Sequence, residues 1–169
     1  MTKRAESGFG LVETVFALSL LLIVSLGLLP LGIIATTTSE NQGHLTARTT
    51  EYAQDKIEQL LALTYNDVTT DTRVFPAASS GGSGLALGGS PEPATPVDLY
   101  VDYLDIDGTL VPSAGGQPPA GWFYQRVWQV TSPATHLKQV TVTAIVKAFV
   151  GRVGQVPQST VAALKTEPF

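Results

Sequence analysis

The chain has 169 residues, of which 44% are hydrophobic and only 14% charged, against roughly 25% charged residues in an average soluble domain. It has no cysteine and two histidines, which excludes disulfide frameworks, Cys-ligated zinc, iron–sulfur clusters, cysteine nucleophiles and histidine-rich metal sites. A formal charge of −4 gives no general attraction for nucleic acid, and a mean hydropathy of +0.19 is too high for a disordered chain.

The apolar residues are concentrated near the N-terminus. After a start containing Lys3 and Arg4, the segment Thr14–Ser39 carries no charge over about 26 residues, whereas ~20 suffice to cross a bilayer core. A secretory signal peptide has an apolar stretch of only about 7–15 residues followed by a small-residue cleavage site. This run is longer, and no clear A-x-A follows it. The basic start and acidic remainder predict a single-pass anchor with its N-terminus inside.

Glu13 stands out at the head of that run. A carboxylate costs about 2.5–3.5 kcal/mol at the centre of a membrane helix and less near its end. In an intact chain it would snorkel to the interface, or complement the helix dipole in the first turn. If the chain were cut before Phe9, Glu13 would instead be a counter-ion for the new amine, most simply on a neighbouring copy.

Ser7-Gly8-Phe9-Gly10-Leu11-Val12-Glu13 resembles the processing motif of type IV prepilins and type II secretion pseudopilins. That pattern is a short basic leader ending in Gly, then Phe, three mostly apolar residues, Glu and a long apolar helix. Gly10 departs from it, since Thr or Ser is commoner there. The resemblance implies a leader of residues 1–8, cleavage after Gly8 and methylation of Phe9 by a prepilin peptidase, and an assembly role for Glu13. It also implies an α+β pilin-like fold. The expected partners are other pilin subunits, the peptidase, an inner-membrane assembly platform and the lipid bilayer. Pro30 lies where many pilins carry a mid-helix proline; it is expected to kink the helix, the alternative being that it ends the membrane segment.

Residues 9–39 are thus expected as a membrane and filament-core helix, and residues 40–66 as its amphipathic continuation. In the latter, Leu45, Thr49, Tyr52, Ala53, Ile57, Leu60 and Thr64 recur on one face, with Glu51, Asp55, Lys56 and Glu58 largely off it. The run Ala53-Gln54-Asp55-Lys56-Ile57-Glu58-Gln59-Leu60 is similar to the A-x-E-K-[LI]-E-x-L segment of minor pilins and of one small pseudopilin class.

Residues 67–97 are rich in Gly, Ser and Pro and read as a linker-like loop. Residues 98–169 read as an antiparallel β head. Asp98–Leu104 predicts a strand, and Pro112–Gly121 a second loop. In Trp122–Val130 the residues Trp122, Tyr124, Arg126, Trp128 and Val130 share one face by alternation. Arg126 would stack on Tyr124 or Trp128, or pair with an acid. Leu137–Val150 and Ser159–Lys165 complete a three-stranded meander. The segments Tyr124–Val130 and Leu137–Thr143 resemble the Y-x-R-x-W-x-V…L-K-x-V-x-V-x-V signature of minor pilins of the pilus-modification type.

Asp105-Ile106-Asp107-Gly108, with Asp102 nearby, repeats the D-x-D-G spacing of calcium loops. It lacks the distal Glu, and Asp-Gly is also a hairpin turn, which is the preferred reading. No other cofactor is expected. No G-x-S-x-G, H-E-x-x-H or P-loop occurs, and the aromatic face lacks the basic residues a nucleic-acid platform needs. His44 and His136 read as solvated. The sequence therefore favours a structural filament subunit, not an enzyme. Its rivals are a pseudopilin of a secretion or DNA-uptake system, and a membrane-tethered binding or adhesin module.

Overall fold

The computed structural model describes residues 10–147 and 156–168, with the side chains of 37, 38 and 41 left aside. The chain falls into two compact units, Met1–Gln42 and Gly43–Phe169, and one helix, α1 (Leu11–Ala62), supplies residues to both. The class is α+β: one long helix and one antiparallel sheet.

In the first unit, the stretch Leu11–Thr36 is long and apolar enough to span a membrane, and none of it is buried. Glu13 occupies the first turn, where a negative charge suits the helix dipole. The Gly10 carbonyl accepts from the backbone N–H groups of Glu13 (2.9 Å) and Thr14 (3.2 Å). Hydroxyls along the span bond to the helix itself: Ser19 Oγ donates to the Val15 carbonyl (2.8 Å), and Thr36 Oγ1 to the Ile33 carbonyl (2.9 Å). A polar side chain satisfied in this way costs little in an apolar surrounding. Pro30 lies inside α1, so it does not end the apolar segment. Its ring removes the donor for the carbonyl four residues back.

In the second unit, the sheet runs in the order β3-β2-β4-β5-β6, with β1 also paired to β4. The strands are β1 (Gly88–Gly89), β2 (Val101–Leu104), β3 (Leu110–Val111), β4 (Tyr124–Ala134), β5 (Leu137–Val146) and β6 (Gln158–Thr166). The expected meander is present as β4-β5-β6, with Trp128 opposite Val142 and Val142 opposite Val161. The expected longer strand Leu137–Val150 ends at Val146; residues 148–150, and 151–155 of the following turn, lie outside the described residues.

The core forms where the C-terminal part of α1 meets the sheet. Tyr52, Ala53, Ile57 and Leu60 pack with Tyr124, Trp128, Val130, Val140, Val142 and Ala144. Two expectations change here. Thr64 lies past the end of α1, which closes at Ala62, and is exposed. Trp122 precedes β4, so strand alternation does not reach it. It packs on the opposite face with Val101, Tyr103 and Val127, edge-on to Tyr103 at 5.6 Å. Lys147 lies over its ring at 5.1 Å.

The Gly/Ser/Pro-rich stretch is not a plain linker. Leu85 within it is completely buried in the main core. Asp67 Oδ1 accepts from the backbone N–H groups of Thr69 and Thr70, both at 3.0 Å. Asp71 and Ala78 exchange backbone bonds of 2.8 and 3.0 Å. Gly82 passes so close that a Cβ there would stand 2.3 Å from the Asp71 Cα. Small residues are needed because backbone packs on backbone, and not because the segment must bend freely. Lys138 Nζ donates to the Tyr65 (2.7 Å) and Leu85 (2.9 Å) carbonyls and ties the residues just before the stretch, and its middle, to β5.

Candidate functional sites

Two of the residues singled out in the sequence, Gly8 and Phe9, lie outside the described residues. Glu13 is exposed at the start of α1, and Pro30 lies inside it.

The three aspartates of the calcium-like spacing do different things. Asp105 Oδ1 accepts from the N–H groups of Asp107 (2.9 Å) and Thr109 (2.8 Å), and so closes the turn between β2 and β3. Residues 105–108 form a turn. Gly108 takes φ +87° there, and a Cβ on it would stand 2.4 Å from Tyr52 Oη. Asp102 is buried in the head. Both of its oxygens are occupied by cations, so it does not join Asp105 and Asp107 as an oxygen ligand. Among the described residues, no group of three or more His, Asp or Glu side chains is arranged to hold a metal ion.

What surrounds Asp102 is a buried ionic cluster. Asp102 and Arg126 are cross-strand partners on β2 and β4. The guanidinium meets the carboxylate bidentately, Nε to Oδ1 at 2.7 Å and Nη2 to Oδ2 at 2.9 Å. Lys56 Nζ reaches the same Oδ2 from α1 at 2.8 Å. It also donates to the Thr72 carbonyl (2.7 Å) and Oγ1 (2.8 Å), and lies 4.1 Å from the Trp128 ring centroid. Arg126 Nη1 extends to Asp55 Oδ2 at 3.0 Å, and Asp55 is 55% exposed. Lys56 and Asp102 are 0% and 2% exposed.

Lys56, expected largely off the buried face, is completely buried. Its position agrees with this: Thr49, Ala53, Lys56 and Leu60 form a stripe at helical spacing. Arg126 was expected either to stack on an aromatic ring or to pair with an acid, and it pairs; the cation over Trp128 is Lys56 instead. Asp102 carries the least sequence signal, because its partner lies on a strand more than twenty residues later.

The cluster's electrostatics follow from its stoichiometry. Two cations share one fully buried carboxylate, and the second acid, Asp55, is half in water. Burial pushes the Lys56 ammonium down to about 8, against the pull of Asp102. Burial also pushes the Asp102 carboxyl up, but Arg126 and Lys56 outweigh it and hold it below the usual carboxylate range. Every oxygen of Asp102 and every short-range donor direction of Lys56 is used within the fold, so the arrangement fixes α1, β2, β4 and the Thr72 segment against one another. This is positioning chemistry. A buried cluster of this kind is costly to break, because removing one member leaves the others charged and unpaired.

Compared with family models, curated proteins and solved structures, the chain matches none of them.

Proposed function

We propose that the protein is a structural subunit, of the minor-pilin kind, of a type IV pilus-like filament. It enters the inner membrane with its N-terminus cytoplasmic and its head periplasmic, and is cleaved after Gly8. It is then drawn into a filament whose core is a bundle of apolar helices. Phe9 becomes the methylated N-terminal residue. Glu13 neutralises the amine of a neighbouring copy, because an unpaired charge in that low-dielectric bundle would be strongly penalised. The partners are other subunits, the prepilin peptidase, the assembly platform and the bilayer.

One observation carries this reading. A wholly exposed, membrane-length helical stretch begins at Leu11, within the Gly8–Glu13 motif, and the same helix ends as a core element of an α+β head. An apolar surface of that size needs lipid or other helices to cover it.

Mass spectrometry of the mature N-terminus tests the proposal. N-methyl-Phe9 is the expected result; an intact Met1, or a cut beyond Pro30, overturns it. Glu13→Ala is expected to leave insertion and cleavage intact and to reduce the sedimentable filament fraction. Normal incorporation would remove the counter-ion role while leaving the processing class standing.

A further inference from the structure

Among the described residues, the head exposes one large aromatic side chain far more than any other. Phe75 is 88% exposed, at the tip of the turn closed by the Asp71–Ala78 bridge, and Val74 beside it is 41% exposed. Pro76, Ala77 and Ala78 next to them are also exposed. Neither Val74 nor Phe75 belongs to a core cluster of the head.

This tip stands on a rigid base. Arg73 grips Asp71 with two bonds of 2.9 Å, Nε to Oδ1 and Nη2 to Oδ2. Its Nη2 also donates to the Gly81 carbonyl at 2.9 Å. Thr72, between them, is held by the buried Lys56 through its carbonyl and its hydroxyl. The two residues before Arg73 are therefore tied down, Asp71 by the guanidinium and Thr72 by the ionic cluster, and beyond the tip Ala78 is bonded through its backbone to Asp71. A side chain displayed on a fixed backbone loses less conformational freedom when it docks, which favours binding through it. Exposed aromatics held in this way are common anchors of protein interfaces.

The charges around the tip indicate what docks there. Arg73 also reaches Asp98 at 3.4 Å, and Asp98 is 52% exposed. Two carboxylates thus flank one guanidinium whose donors are spent internally, so the flank is acidic. An anionic lipid surface would be repelled. Among the described residues, a second copy offers only two isolated accessible cations, Lys147 and Arg48, and no clustered basic rim. Lys56, Lys138, Lys165 and Arg126 donate to internal oxygens, Lys147 lies over Trp122, and Arg48 pairs with Glu51.

We propose that the Val74–Phe75–Pro76 tip is a preorganised anchor for a different protein, one that offers an apolar socket with a basic rim. The anchor does not depend on the filament reading.

The test uses the full chain in phosphatidylcholine nanodiscs and a random cyclic-peptide library displayed on phage. Enriched peptides are expected to combine a large apolar residue with Lys or Arg. Their synthetic forms should bind Phe75→Ala at least about tenfold more weakly than the parent, and Phe75→Leu nearly as well as the parent. Affinity should fall as salt rises from about 0.05 to about 0.5 M. Arg73→Ala keeps the aromatic ring but loosens its base, and should weaken binding by a smaller factor. Unchanged tryptophan fluorescence establishes that each variant is folded. The proposal is overturned if no peptide distinguishes parent from Phe75→Ala, or if the distinguishing peptides lack cations. It is equally overturned if Phe75 instead governs binding to phosphatidylglycerol vesicles or self-association in sedimentation. Arg73→Ala binding as tightly as the parent overturns the preorganisation.

Discussion

Between Val15 and Ile34, α1 exposes every large apolar side chain; between Thr49 and Leu60, the same helix buries a lysine completely. Hydrophobicity alone would reverse the two assignments. None of the first stretch is buried among the described residues, so its apolar character is meaningful only against lipid or other helices. The second lies on a sheet that supplies a carboxylate and an indole face to a single ammonium, while the Thr72 segment adds a carbonyl and a hydroxyl. Burial follows what the neighbouring elements can offer, and a charged residue can be a core residue when its partners are built in.

The sharpest way to break this comparison is Asp102→Ala. It leaves Lys56 and Arg126 buried without their shared carboxylate and is expected to destabilise the head by about 3–5 kcal/mol. Membrane insertion should be untouched. Denaturant unfolding of the full chain in detergent, followed by tryptophan emission, reads this directly because Trp122 and Trp128 both belong to the head.

Truncation on the two halves of the helix is the next contrast. Leu60→Ala opens a cavity in a fully buried site and should cost about 2–5 kcal/mol in the same assay. Leu22→Ala, on the exposed span, should leave the head's unfolding midpoint unchanged. Equal effects from both would erase the distinction between the halves.

A pH titration isolates Lys56. The unfolded chain holds this proton to near its ordinary value of 10.5, while the fold releases it at about 8. Between those values the unfolded state binds more protons, so head stability should rise with pH. The gain is at most about 3 kcal/mol at 1.36 kcal/mol per pKa unit. Toward the top of the window, burial of Tyr52 and Tyr124, which raises their phenols, works against the gain. Lys56→Met should flatten the rise. At the acid end the sign is opposite. Asp102 is held below its ordinary value in the fold, so its contribution is present above about pH 4 and lost as the pH falls through the folded value.

The smallest effect is expected at the exposed pair Arg48–Glu51, 3.2 Å apart on α1. Glu51→Ala should change stability by less than about 0.5 kcal/mol, because water screens such a pair. A larger loss would show that exposure is a poor guide to the worth of charges in this head.

Much of the architecture was legible in the residues. The charge-free run made the long helix certain in kind, and period-two alternation at Val140, Val142, Ala144 and Val146 gave the core face of β5. The Asp105–Gly108 turn was readable from its turn chemistry. Three things were not. The Gly/Ser/Pro stretch looked like a linker because glycine marks both free chain and close backbone packing, and only the contact of Gly82 with Asp71 separates the two. Trp122 fell on the unexpected face because alternation applies only within a strand. The burial of Lys56 was not readable, because the carboxylate that makes it possible, Asp102, sits far along the sequence.

The sequence by itself determined the local properties: helix or strand period, a span of membrane length, an Asp-Gly turn, and the motif around Gly8, Phe9 and Glu13. Each depends on neighbours a few residues away, so composition and spacing suffice. Only the tertiary structure decided which charges are buried, which loop is core and which aromatic is left exposed. Those outcomes depend on partners brought together from distant segments, as Lys56, Thr72, Asp102 and Arg126 are. The free energy of a buried charge is set by such partners, not by the residue that carries it.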